Sequence, residues 1–201
     1  MMLQSISPKL DQTQSDAYRA RSDLQVFAEY CFGFKNTGFQ EQWYDTIQDA
    51  RVKKGLIIAP RNSAKSTCWA RVAVLWLLGV NPDIRIVIIS RTSSLAKTDM
   101  RFVRLNIESN DRVREVFPYE KTTSGHVYGL KPSSPWGEDQ LTVENNRRDG
   151  VPSVYAVGLE GSISGIRADI IIVDDLIDSN NVMTLTPVSY THLTLPTILL
   201  V

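Results

Sequence analysis

The sequence predicts an α/β fold, and three observations carry that expectation. Short apolar runs at Leu56 to Pro60 (LIIAP), Ile84 to Ser90 (IRIVIIS) and Ile170 to Val173 (IIIV) have the composition of buried strands. Segments with apolar residues at helical spacing stand between them. The first run leads into a polar loop and then a helix, and the last runs into two adjacent carboxylates, Asp174 and Asp175. Strands alternating with helices indicate a sheet covered on both faces.

The elements follow in order. Residues 1–23 form a polar, Gln/Ser/Asp-rich leader, either loose or a helix docking elsewhere. Leu24 to Phe34 and Phe39 to Ala50 carry apolar residues at helical spacing. Ser66 to Gly79 is a mostly apolar helix that Gly79 and Pro82 would close. Ser93 to Ser109 is another, capped by Thr92 or Ser93. Pro, Gly, Ser and Trp crowd Pro118 to Gly137, which indicates loops and a hairpin. Leu141 to Glu144 and Ser153 to Leu159 are strand-like.

Composition narrows the function classes. The 201 residues hold 22 Lys+Arg and 22 Asp+Glu, a net charge of zero that argues against a histone-like nucleic-acid binder but leaves local basic patches open. Cys31 and Cys68 are too few for a disulfide framework, so a reduced, cytoplasmic setting is expected. No segment reaches the ~20 apolar residues that cross a bilayer. The N-terminus lacks the apolar stretch of a signal peptide.

Two sites carry chemistry. Ala59 to Thr67 (APRNSAKST) lies between a strand and a helix, the context of a phosphate-binding loop. The loop of Pro60, Arg61, Asn62, Ser63, Ala64, Lys65, Ser66 and Thr67 would wrap phosphates at a helix N-terminus, with the backbone N–H groups that follow Pro60 as donors. Lys65 would reach the β- and γ-phosphates of ATP, and the Ser66 hydroxyl would coordinate Mg²⁺. Both glycines of the usual pattern are alanines here, Ala59 and Ala64, and a positive φ at Ala64 costs on the order of 1 kcal/mol. Taken alone, the loop could equally be a polar turn with Lys65 as a solvated charge. The second site is ADIIIVDD, the form of a Walker B strand. Asp174 would hold Mg²⁺ through water, and Asp175 would position the attacking water. The order strand, loop, helix, acidic strand favours a P-loop NTPase sheet of RecA-like type.

These residues resemble the large terminase subunit of tailed double-stranded-DNA phages. The resemblance runs from Leu24 to Asp178 and rests on FQEQWYD, APRNSAKST, IVIISRTSSLAKT and GLEGSISGIRADIIIVDD. It implies an ATP-hydrolysing motor that moves double-stranded DNA into procapsids, working as a homo-oligomeric ring with a portal protein and a small terminase subunit in the host cytoplasm. It implies that Arg61 acts on the γ-phosphate and that Gln40 reads the adenine edge, with Gln42 as the register-shifted competitor. Arg167 and Arg91 could touch phosphate or form structural ion pairs, whereas Arg147-Arg148 reads as a solvated hairpin tip.

The end of the chain is read differently. Val188 to Thr197 (VSYTHLTLPT) matches a translated frame of a transposon sequencing adapter, so residues 188–201 are expected to be non-native and the ATPase part to cover 24–187. His192 goes with that tail, leaving His126 and excluding a multi-histidine metal site. Thr186-Pro187 comes too soon after the acidic strand to be the family's coupling motif, and a nuclease domain is expected beyond it. A superfamily-2-type helicase or other P-loop translocase shares the same first elements. A non-catalytic nucleotide-binding scaffold would fit the Ala-substituted loop.

Overall fold

A computed structural model of the chain describes residues 12–60, 62–159, 161 and 165–176. Several sequence readings therefore lie wholly or partly outside the described residues: the 1–23 leader, Arg61, the middle of Gly161 to Asp169, the end of the 24–187 ATPase part with Thr186-Pro187, and the 188–201 tail.

Three helices open the chain: α1 (Gln12–Ala20), α2 (Leu24–Phe32) and α3 (Gly38–Gln48). The α1 helix docks, with Ala17 and Ala20 buried and the Ala20 carbonyl accepting from Trp76 Nε1 at 3.0 Å. Asp23 caps α2 by accepting from Val26 N at 3.1 Å, and Gly33 ends it in the left-handed region at φ 68°. A π-helical stretch, Thr67–Ala73, then runs without a break into α4 (Val74–Val80). Its side chains are the core's largest contribution, Trp69, Val72, Leu75 and Leu78 all being buried.

The sheet has five strands in the order β4-β5-β6-β1-β7. These are β1 (Ile86–Ser90), β4 (Pro132–Trp136), β5 (Gln140–Val143), β6 (Val154–Gly158) and β7 (Ile170–Asp174). A separate two-stranded hairpin is formed by β2 (Glu120–Lys121) and β3 (Val127–Tyr128). Strands β6, β1 and β7 are parallel, whereas β4 and β5 add antiparallel at one side. Between β1 and the hairpin come α5 (Ser93–Ser109) and α6 (Asp111–Val116). Thr92, rather than Ser93, caps α5, its Oγ1 accepting from Leu95 N at 3.3 Å.

Three expectations are corrected. First, Leu56 to Pro60 joins no sheet. Ile57 is buried, but Leu56 is 56% and Ile58 85% exposed, and the run has no strand partner. An apolar run becomes a strand only where a neighbouring backbone accepts and donates its hydrogen bonds. Second, helices cover one face of the sheet among the described residues. Ile86, Ile88, Val154, Ala156 and Ile172 pack with α5 and the π-helical stretch in the main core. Val87, Ile171 and Val173 form a smaller cluster with half-buried strand and loop residues and no helix. Third, Gly79 does not close its helix in the left-handed region. It is buried inside α4, where a Cβ would stand 2.3 Å from the Phe117 ring, so the glycine permits close packing.

Candidate active site

Residues at the C-terminal ends of the parallel strands come together with the loop before the π-helical stretch. Register fixes three of them. Ser90, the last residue of β1, lies opposite Gly158 on one side and Asp174 on the other. Alternation along each strand puts Ser90 and Asp174 on the helix-covered face, in phase with Ile86, Ile88 and Ile172. Both are buried although polar.

The loop reaches this end from the other chain direction. Lys65 and Ser66 are already helical, and the Cys68 N–H donates to the Ala64 carbonyl at 2.9 Å, closing the first turn. Asn62 and Ala64 take left-handed backbone conformations, φ 64° and 62°. For Ala64 this is a strained conformation, which glycine would adopt freely, at a cost of ~1 kcal/mol. Lys65 Nζ then stands 4.0 Å from Asp174 Oδ1, at ion-pair distance but beyond an ordinary hydrogen bond. Asp175 follows β7 at φ 51°, exposed.

Gln40 connects α3 to the loop. Its side-chain nitrogen donates to the Ser63 carbonyl at 3.3 Å, and its Oε1 accepts from Thr37 N at 3.0 Å at the start of α3. Gln42 is exposed and its carbonyl accepts from Thr46 Oγ1. Of the two glutamines, Gln40 is the one that touches the loop.

Other basic residues are placed elsewhere. Arg167 is exposed. Arg147 donates to the Val151 carbonyl at 3.0 Å and stands 3.6 Å from Asp149, which makes it a brace of its own turn, while Arg148 is exposed.

Two residues near the site escaped the sequence reading. Asp99, on α5, is buried and accepts from Arg71 Nε at 2.7 Å. Burial raises its carboxyl above the ordinary carboxylate range, the Arg71 guanidinium opposes that shift, and the negative charge of Asp174 adds to it. The signal was available: Asp99 shares the apolar face of α5 with Ala96, Met100, Val103 and Ile107, where an unpaired carboxylate would be costly. Ser90 is the second, a hydroxyl in phase with the buried face of an apolar strand.

The oxygen set can be weighed against the expected metal. Among the described residues no group of three or more His, Cys, Asp or Glu could hold a metal ion. Mg²⁺ does not require one, since it usually keeps several waters and takes one or two carboxylates plus substrate phosphates. Asp174 and the Ser66 hydroxyl, next in the chain to Lys65, are oxygen donors of the kind such a set would use. Ser63 Oγ and Ser90 Oγ are buried without a hydrogen-bond partner, so this end of the sheet has polar capacity to spare. The residues fit the ion.

No protein-family model matches the chain. Over 134 residues, 64% of the chain, it is 31% identical to the large terminase subunit of Enterobacteria phage T3. That stretch spans 20% of the phage protein, so the chain covers about a fifth of the relative it matches.

Proposed function

We propose that the chain belongs to the ATPase motor of a phage DNA-packaging enzyme, a large terminase subunit. The observation that carries the reading is the approach of Lys65 to Asp174 at 4.0 Å, joining a loop that opens a helix to an acidic strand end. The similarity to the phage T3 terminase subunit supports it.

In this reading Lys65 and the N–H groups of the loop after Pro60, through Thr67, bind the phosphates of ATP, and Gln40 lies toward the base. Ser66 and Asp174 hold Mg²⁺, which supplies charge neutralisation for the transferred phosphoryl group. Asp175 orients the attacking water, and Arg61 stabilises the charge that develops on the phosphoryl oxygens. The work is coupled to moving double-stranded DNA into a procapsid. That requires a ring of copies, a portal protein and a small terminase subunit in the host cytoplasm. Among the described residues no helix is long and apolar enough to cross a membrane.

The test is nucleotide binding by the chain and Mg²⁺-dependent ATP hydrolysis by the full-length protein with double-stranded DNA present. Lys65→Ala should lower both by 100-fold or more, and Asp174→Asn should abolish the metal-dependent part. Unchanged binding and turnover in either variant would overturn the assignment. A well-folded full-length protein that binds ATP without hydrolysing it would favour a scaffold.

A further inference from the structure

Ser90 has no part in the reading above, yet three features converge on it. It is 1% exposed, and its Oγ has no hydrogen-bond partner. A buried hydroxyl left unpaired carries a desolvation penalty that a partner in the loaded site would relieve. Thr142 Oγ1 shares this property in β5, but Ser90 lies opposite the acidic strand end.

The register directs the hydroxyl. On the β6 side Ser90 faces Gly158, and no side chain can stand there because a Cβ would lie 2.4 Å from Ser93 N and 2.7 Å from Ser93 Oγ. On the β7 side it faces Asp174, on the same face of the sheet and one strand spacing away, about 4.8 Å. Asp174 has the Lys65 ammonium at 4.0 Å. When Lys65 turns to a nucleotide's phosphates, Asp174 loses this neighbour and a new donor is needed beside it.

We propose that Ser90 is the positioning residue of Asp174: in the loaded site its O–H donates to the Asp174 carboxylate and holds it toward Mg²⁺. A hydroxyl donating to an ionised carboxylate forms a strong hydrogen bond, and outer partners of this kind commonly govern metal affinity by tenfold or more. Asp99 is already engaged by Arg71, whose Nε stands 2.7 Å from Asp99 Oδ1, whereas the Ser90 hydroxyl beside Asp174 has no partner. The inference rests on the nucleotide–metal reading of the same site.

The experiment uses the 201-residue chain and compares wild type, Ser90→Ala, Ser90→Cys and Lys65→Ala. Binding of a fluorescent ATP analogue is titrated in EDTA and against Mg²⁺, and thermal stability is measured without metal or nucleotide. For Ser90→Ala the metal-free stability should be unchanged or higher, because an unpaired buried oxygen is removed. Binding in EDTA should be unchanged, and the Mg²⁺ concentration for half-maximal enhancement should rise about tenfold. Ser90→Cys, nearly isosteric with a weak donor, should fall between the two and serves as the comparison if the alanine lowers stability. Wild-type Mg²⁺ dependence in both variants would overturn the role of Ser90 while Lys65→Ala still loses binding. Unchanged binding in Lys65→Ala would overturn the underlying site reading, and the Ser90 role with it.

Discussion

Strands β1 and β7 lie side by side, and their two ends are built on opposite principles. At the N-terminal end, Arg85 and Asp169 match each other fully. Arg85 N and Nε donate to Asp169 Oδ2, both at 2.9 Å, Nη2 donates to Oδ1 at 2.7 Å, and the Asp169 N–H returns to the Arg85 carbonyl at 2.8 Å. At the C-terminal end, Lys65 only approaches Asp174, Ser90 Oγ has no partner, and Asp175 and Ala64 hold left-handed backbones. The Arg85–Asp169 pair registers the strands at one end, while Ser90 Oγ and the strained backbones of Ala64 and Asp175 lie at the other, where strain of this kind accompanies ligand-binding sites. Open parallel sheets bind ligands beyond the carboxyl ends of their strands, and the contrast falls on that side.

The contrast can be broken most sharply with a pair of isosteric variants. Asp174→Asn should reduce Mg²⁺-dependent nucleotide binding by 100-fold or more without lowering the melting temperature, since a buried carboxylate with a distant partner is exchanged for a neutral amide. Asp169→Asn should leave binding unchanged and lower the melting temperature slightly. Calorimetry and nucleotide titration on both variants measure the two effects, and loss of binding in Asp169→Asn would erase the distinction. Gly158→Ala comes next. Its Cβ would meet the backbone nitrogen of Ser93, which no rotamer change relieves, so destabilisation of about 1–3 kcal/mol is expected in denaturant unfolding.

Ala64→Gly reads the strain of the loop directly. It should stabilise the protein by up to about 1 kcal/mol, because glycine adopts φ near 62° without a Cβ penalty. Destabilisation would mean that the Ala64 methyl packs usefully despite its backbone. Arg85→Ala should have the smallest effect, under about 1 kcal/mol, because Asp169 is partly exposed and solvent screens the pair. Its pH dependence has a definite sign. Hydrogen bonding from Arg85 holds the Asp169 carboxyl below its ordinary range. The stabilisation is therefore present above the unfolded carboxylate pKa, about 3.9, and is lost as pH falls through the lower folded value. The stability gap between wild type and Arg85→Ala should be full at neutral pH and close in strong acid.

Much of this fold was legible because local signals agreed. For α5, the Thr92 cap and the spacing of Ala96, Met100, Val103 and Ile107 set the boundaries. For β7, four consecutive apolar residues before two carboxylates set the strand and its exit. Leu56 to Pro60 was misread because composition reports a wish for burial, while strand formation also needs a second backbone, and no local pattern shows whether one is beside it. The π-helical stretch was equally hidden, since the apolar pattern of Thr67 to Ala73 suits an α-helix as well. At the site, motif spacing singled out Lys65 and Asp174 but could not give their 4.0 Å approach. Ser90 and Asp99 were visible only as polar residues in phase with buried faces, a signal that acquires meaning once register places them near Asp174.

The most direct test of the account is amide hydrogen exchange with and without Mg²⁺–ATP, resolved along both ends of these strands. Protection should rise at residues 62–68, 90–92 and 173–176, with no change at Arg85, Asp149 or Asp169. Protection confined to the Arg85–Asp169 end, or absent from the whole chain at saturating nucleotide, would contradict the claim that the under-satisfied strand ends form the nucleotide site.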